Sequence, residues 1–264
     1  MRTISIYNNF LPKNQEKREM LNNKIKENGF GTGRDGDFMF VVGGDGTFLK
    51  AIKKNMKINP PVLIGINTGN LGYLHEFSFD EVDSIFEMIK KKDYWLQSIP
   101  VYEALVTTKN QTKRLYFVND LVIERKETKV IHSEIQINGE KLTQISGDGV
   151  VISSSLGSTA YNLSANGPIS YDCDDVLQLV PLHPINNSRY RSLSNAVILK
   201  TNNEVTILPS YKKQIPFRVV FDGNEGKFKD IKSVTITKSP FSVKLFRSKN
   251  YKSIDNLKNK ILPY

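Results

Sequence analysis

A carboxylate stands inside a glycine run at Val41-Val42-Gly43-Gly44-Asp45-Gly46-Thr47. Apolar β-formers precede the run, and a helix is predicted from about Phe48 to Asn55. Glycine tolerates positive φ and lets backbone N–H groups approach an anion with no Cβ in the way, while a helix N-terminus adds partial positive charge. Gly44, Gly46 and Thr47 therefore form a candidate phosphate-binding turn. Asp45 is its odd member, because a carboxylate in an anion cradle repels phosphate; a magnesium ion or a substrate proton suits it better. The same residues also read as a plain strand-to-helix turn with Asp45 as helix cap.

Two further segments carry polar groups into apolar surroundings. Asn119-Asp120 interrupts Leu115–Val118 and Leu121–Ile123. Adjacent strand residues face opposite sides, so at least one of the pair meets a polar partner or sits at a bulge. The second segment runs from Gly147-Asp148-Gly149 to Gly157-Ser158-Thr159-Ala160-Tyr161-Asn162-Leu163-Ser164. Its glycine, hydroxyls and aromatic ring read either as a capped helix start or as a binding face, and one helix start can be both. His75, His132 and His183 show no ligand spacing, which predicts surface or supporting positions for each. Arg189 and Arg191 lie in a polar loop where phosphate contact and plain surface placement are both open.

Together these segments resemble the NAD kinase family, which pairs a GGDGT turn with a GDG…GSTAY segment and sets an Asn-acid pair between them. The likeness extends to Thr68-Gly69-Asn70-Leu71-Gly72-Tyr73 and Phe221-Asp222-Gly223. GGDGT alone is shared with diacylglycerol, sphingosine and phosphofructokinase-type kinases; the GSTAY segment is more specific. The resemblance implies transfer of the γ-phosphoryl group of ATP, accompanied by Mg²⁺, to the 2′-hydroxyl on the adenosine ribose of NAD. Asp45 is then the base beside that hydroxyl or an organiser of the metal, with Gly44, Gly46 and Thr47 on the phosphate side. Asn119 and Asp120 grip NAD, and Asp148 meets the carboxamide or ribose of the nicotinamide half. Thr159, Ala160, Tyr161, Asn162 and Ser164 form the face that follows, with Tyr73 and Asp222 as further ligand contacts. The family commonly has Glu where this chain has the shorter Asp120. It often has Pro and then Thr or Ser before the glycine, where Ser155-Leu156 stands here, so no side-chain hydroxyl is available at 156. Dimers or tetramers are the family's usual assemblies. A lipid kinase would need a hydrophobic acceptor site and leaves the Asn119 and Gly157–Tyr161 segments unexplained; a nucleotide-binding regulator would have no need of Asp45.

The elements that must position these residues follow from periodicity and turn chemistry. Strands are predicted at 3–7, 38–42 and 62–66, alternating with helices at 13–28 and 48–55, a pattern that implies a parallel sheet. Gly29 to Gly36 follows a helix rather than a strand and reads as a loop, not a dinucleotide fingerprint. After Ser78, a capping-box relation with Glu81 introduces a helix whose Val82, Ile85, Phe86 and Ile89 recur at core spacing. Beyond Pro100 short β-rich runs take over, at 104–108, 115–123, 134–138, 150–153, 197–200, 204–208, 217–222 and 234–237, with Asn138-Gly139 as a hairpin turn. The expectation is an α/β nucleotide-binding domain plus a second β-rich, β-sandwich-like domain at 101–245. A terminal helix carries Ile254, Leu257 and Ile261 on one side, and the resemblance implies that 246–264 returns to residues 1–100.

Bulk properties narrow the class. The chain has 264 residues, 37 basic against 27 acidic side chains and a net charge of +10, which suits polyanionic nucleotides. The basic residues are scattered, with no nucleic-acid signature and no aromatic-basic groove, so nucleic acid is not an expected partner. No apolar stretch approaches the roughly 20 residues that span a bilayer, and residues 1–7 read as a strand rather than a cleavable signal. Cys173 is the single cysteine, which excludes an intrachain disulfide or a cysteine cluster for zinc and suits a reducing cytoplasm.

Overall fold

A computed structural model describes residues 2–8, 12–33, 36–56, 59–69, 72–210 and 217–261 of the chain. They pack as two compact units, Met1–Ile99 with Phe241–Tyr264, and Pro100–Pro240.

The first unit is built from β1 (Thr3–Asn8), α1 (Pro12–Glu27), β2 (Gly31–Thr32), β3 (Phe38–Gly43), α2 (Asp45–Lys54), β4 (Val62–Asn67), β5 (Phe77–Ser78) and α3 (Val82–Lys91). Strands β2, β1, β3 and β4 pair in parallel in that order, with β5 beside the end of β4. On β3, Phe38, Phe40 and Val42 join Leu21 and Ile25 of α1 and Ile85, Phe86 and Ile89 of α3 in one core. The opposite pleat meets α2, where Asn55 Nδ2 lies 3.3 Å from Met39 Sδ. With both faces covered, β3 is buried along its whole length, as the central strands of parallel sheets are. Ser78 and Glu81 form both halves of the capping box, but around a 3-10 turn at Phe79–Glu81 that precedes α3.

The second unit is β-rich. Strand β6 (Tyr94–Thr108) runs through the unit boundary and is followed by β7 (Thr112–Phe117), β8 (Asp120–Arg125), β9 (Ile131–Ile137), β10 (Glu140–Gly147), β11 (Gly149–Ser154), the single turn α4 (Tyr161–Ser164), β12 (Val176–Leu182), β13 (Val197–Lys200), β14 (Val205–Pro209), β15 (Phe217–Phe221), β16 (Asn224–Gly226) and β17 (Ile231–Ser248). Six strands form an antiparallel sheet in the order β13-β12-β11-β8-β15-β16. A second layer joins β10, β9, β14 and the start of β17, with β6 and β7 as an antiparallel pair. Leu121, Ile123, Val150 and Ile152 from the six-stranded sheet share one core with Ile135, Ile207, Val234, Ala104 and Phe117, which makes this unit a β-sandwich. The other face of the six-stranded sheet carries its own apolar cluster of Val122, Val151, Val180 and Leu182. Past Pro240, β17 lies in the first unit, with Leu245 paired to Leu63 in parallel and Phe246 stacked on Tyr94 at 4.5 Å. The chain then forms α5 (Ser253–Lys260).

Several boundaries differ from the sequence reading. Helix α2 begins at Asp45, three residues early, because Gly44 rather than an apolar residue sets its N-cap. Gly31–Thr32, read as loop, pairs with β1; Arg34 and Asp35 of that stretch lie outside the described residues. The run 115–123 is two strands separated at Val118-Asn119. Strands β10, β12 and β16 were not anticipated, and β17 extends far beyond the predicted 234–237. Asn138 and Gly139 both have positive φ, 51° and 80°, as a two-residue hairpin turn requires. Among the described residues, no helix is long and apolar enough to cross a membrane.

Candidate functional site

Each unit carries its own cluster of candidate residues. In the first, β3 ends at Gly43 with φ 152°, where an added Cβ would lie 2.7 Å from Thr47 Oγ1. Glycine is required there for backbone and for space. At Gly44 and Gly46 an added Cβ would meet nothing within 4 Å. The N–H of Thr47 donates to the Gly44 carbonyl at 2.8 Å, while those of Asp45 and Gly46 precede any helical acceptor, so this open side of the turn suits an anion.

Asp45, first residue of α2, turns its carboxylate to the segment 73–75. The N–H of Tyr73 donates to Oδ2 at 2.7 Å, the N–H of Leu74 donates to Oδ1 at 3.1 Å, and His75 Nδ1 lies 3.2 Å from Oδ1. Burial pushes the Asp45 pKa up, but the hydrogen bonds from His75, Leu74 and Tyr73 outweigh it and hold the carboxyl below its ordinary value. The close approach depends on Gly72, where an added Cβ would stand 2.2 Å from Oδ1. His75 is fully buried, so of the two positions expected for it the supporting one is correct. Asn70 and Leu71 of the same turn lie outside the described residues.

Residues outside every recognisable motif hold this segment in place. The buried Arg247 donates from Nη1 to the Leu74 carbonyl at 3.2 Å and from Nε to Gln97 Oε1 at 2.9 Å. Asn256 Nδ2 donates to the Tyr73 carbonyl at 3.2 Å. Both act on main-chain carbonyls more than 170 positions away, a relation that no local pattern announces.

In the second unit the cluster centres on the strand break at Val118–Asp120. Asp222 and Gly223 have φ 43° and 72° and turn the chain from β15 into β16. The Asp222 carboxylate, 8% exposed, accepts the N–H groups of Val118 at 3.1 Å, Asn119 at 2.8 Å and Asp120 at 3.4 Å. Asp222, expected to touch ligand, clamps this backbone through the described contacts. From the other side the Ser154 N–H donates to the Asn119 carbonyl at 2.8 Å. Gly157 packs so tightly that an added Cβ would lie 2.1 Å from that carbonyl oxygen. With its backbone fixed, Asn119 is left with a buried side-chain oxygen, Oδ1, that has no partner among the described residues. Asp120 is buried at the start of β8.

Asp148 sits between β10 and β11 and pairs with Arg125 Nε at 2.7 Å and His183 Nδ1 at 3.0 Å. These side chains, with Glu124, Arg218, Leu182 and Tyr161, line a cavity of about 450 Å³. Tyr161 is 45% exposed; burial of the rest, with Glu124, raises its phenol pKa against the opposing pull of Arg218. Thr159 and Ala160 are half-buried and Ser164 is exposed. The predicted capped helix start is a 3-10 turn, Leu156–Thr159, broken at Ala160 before α4. Asn162, expected on the binding face, has a buried Oδ1 with no partner among the described residues. It is fully buried, and its amide donates to Gln178 Oε1 at 3.0 Å and to the Pro168 carbonyl at 3.2 Å. Arg189 and Arg191 are exposed on their loop, and His132 packs on Tyr190 with Nδ1 2.7 Å from Ser146 Oγ.

The ATP-NAD kinase N-terminal domain matches residues 12–94 and the ATP-NAD kinase C-terminal domain matches residues 118–248. An NAD kinase of Sulfurimonas denitrificans is 33% identical over 227 residues, 85% of this chain and 77% of the relative. One from Clostridium tetani is 36% identical over 234 residues, 85% and 80%. Among solved structures, yeast NADH kinase complexed with NADH superposes with a TM-score of 0.83 at 20% identity, covering 99% of this chain and 87% of that one. An Archaeoglobus fulgidus NAD kinase in complex with ATP gives 0.76 at 21%, covering 98% and 97%; at such identities the structures speak to fold. With both domain models matched in order and relatives above 30% identity over most of its length, the chain belongs to the NAD kinase family.

Proposed function

We propose that the protein transfers the γ-phosphoryl group of ATP to the 2′-hydroxyl on the adenosine ribose of NAD, giving NADP and ADP, with Asp45 as the group that meets the reacting hydroxyl. The observation that carries the assignment is the Asp45 carboxylate, held by three donors at the mouth of a glycine turn. Phosphoryl transfer through a loose transition state asks mainly for positioning and charge neutralisation, with a late route for the hydroxyl proton. A carboxylate with a lowered pKa fits that demand. It accepts the O–H as a hydrogen bond and takes the proton only as the new P–O bond forms.

Mg²⁺ enters with ATP. Among the described residues no group of three or more His, Cys, Asp or Glu side chains could cage a metal. On the NAD side, the unpartnered Oδ1 of Asn119 is the strongest candidate contact. Asp120, Asp148, Thr159, Ala160, Tyr161, Ser164 and Tyr73 complete the proposed set, while Asn162 and Asp222 support it from behind. A cytoplasmic homo-oligomer, dimer or tetramer, is part of this reading and is checked by mass in solution. The test of function is purified protein with ATP, Mg²⁺ and NAD. NADP formation supports it; nucleotide binding without turnover, or phosphorylation of a lipid in place of NAD, rejects it.

A further inference from the structure

The third partner of the proposed reacting carboxylate is a buried side chain. His75 is enclosed on every side that the structure describes. Its ring meets Phe48 edge to face, with centroids 5.3 Å apart and planes at 82°. It also presses on Gly65, where an added Cβ would lie 3.0 Å from His75 Cα and 3.1 Å from Cδ2. So confined, the imidazole keeps Nδ1 towards Asp45 Oδ1 at 3.2 Å, while Nε2 is buried with no partner among the described residues. An ionised carboxylate only accepts hydrogen bonds, so the hydrogen of this pair resides on Nδ1.

The donors are divided unequally between the two carboxylate oxygens. Oδ1 faces both Leu74 N–H and His75 Nδ1, and Oδ2 faces Tyr73 N–H. A carboxylate oxygen offers about two lone-pair sites. Oδ1 is thereby filled, and Oδ2 keeps capacity for one more donor. The two backbone donors, one on each oxygen, fix where the carboxyl group sits and how it is turned; the imidazole fills the second site of Oδ1.

We propose that His75 is a positioning residue for phosphoryl transfer, its Nδ1–H saturating Oδ1 of Asp45 so that the acceptor hydroxyl is directed to Oδ2. The proposal rests on Asp45 being the group that meets that hydroxyl. His75→Leu removes the donor and keeps an apolar body against Phe48; His75→Asn returns an amide N–H near the place of Nδ1. If the ring saturates Oδ1 in this way, the Leu variant loses about tenfold in kcat, the scale of one charge-assisted hydrogen bond, with KM for ATP and NAD within about threefold. The Asn variant then recovers most of the rate. Unchanged kcat in the Leu variant, or equal losses in Leu and Asn variants of wild-type melting temperature, overturns the proposal.

Asp45→Asn separates this proposal from the reading beneath it. Near-wild-type turnover in that variant removes Asp45 from the reaction whatever His75 does. A low-activity Asp45→Asn protein that His75→Leu slows by a further full tenfold keeps Asp45 and overturns His75 as its partner. For variants that do not fold, ¹⁵N-imidazole NMR of the wild-type protein decides: His75 as the Nδ1–H tautomer supports the assignment, and the Nε2–H tautomer rejects it.

Discussion

Asp45 and Asp222 look alike in the sequence, each an aspartate followed by glycine at the end of an apolar strand, and each carboxylate accepts backbone N–H groups. They do opposite things. Asp45 retains 39% exposure of its side chain, and the backbone around it serves to aim the carboxylate outwards. Asp222 is 8% exposed, and its carboxylate serves to hold the backbone of Val118, Asn119 and Asp120. In one place main chain positions a charge; in the other a charge positions main chain. An Asp-Gly pair therefore acquires its meaning from burial and from which partner is left facing solvent.

Substituting each aspartate tests that difference. Asp45→Asn keeps size and part of the hydrogen bonding, and lowers kcat by at least about a hundredfold while NAD affinity stays within several-fold and the melting temperature changes little. Steady-state kinetics with calorimetric NAD binding checks this, and wild-type turnover would break the contrast at once. Asp222→Ala strands three backbone N–H groups and costs about 2–4 kcal/mol of stability, read by denaturant unfolding. If Asp222→Ala retained full stability and lost only affinity for nucleotide, Asp222 would belong with Asp45 as a presented group.

The contrast also marks what the sequence could and could not reveal. The glycine turn was legible because Gly43 leaves no room for a Cβ, and the stripe Val82, Ile85, Phe86 and Ile89 was legible because helical spacing and burial coincide. Strands β6 and β17 each contain a proline, Pro100 and Pro240, where proline ordinarily marks a break, and both extend beyond their expected runs. Strand β10 was hidden by an exposed, polar first half. The clamp role of Asp222 and the support from Arg247 and Asn256 depend on contacts of long sequence separation, made to backbone atoms that carry no residue-specific signature. Asn162 was placed on the binding face by its motif; its burial depends on Gly167 and Gln178, which the motif does not include.

Asn119→Ala sharpens the second half of the comparison. The backbone of residue 119 is held by Asp222 and Ser154 whatever its side chain, so the fold survives the change and the loss falls on the ligand. NAD binding weakens by about 1–3 kcal/mol, the scale of a buried amide pairing, and ATP binding weakens less. Equal losses for both nucleotides in calorimetry on folded protein would make Asn119 a structural residue like Asp222.

The smallest effect concerns Tyr161, the most exposed aromatic of the second cluster. Its ring borders the cavity that also holds Asp148, Arg125, His183 and Leu182. Ala160 beside it has no side chain beyond Cβ to restrict approach to the ring. A ring so placed contributes a flat, partly apolar face, for which stacking against a base or pyridine ring is worth on the order of 1–3 kcal/mol in other settings; partial exposure puts this site at the low end. Tyr161→Ala therefore raises KM for NAD by about five- to tenfold. Tyr161→Phe, which keeps the face and deletes the hydroxyl, stays within about twofold. Both are measured at saturating ATP on protein of unchanged melting temperature. A Phe variant as impaired as the Ala variant would make the hydroxyl the operative group, and the second cluster would then offer polar contacts alone. If neither variant moved KM, Tyr161 would be a packing residue, and the presented side of the second unit would contract to Asn119 and the charged residues around Asp148.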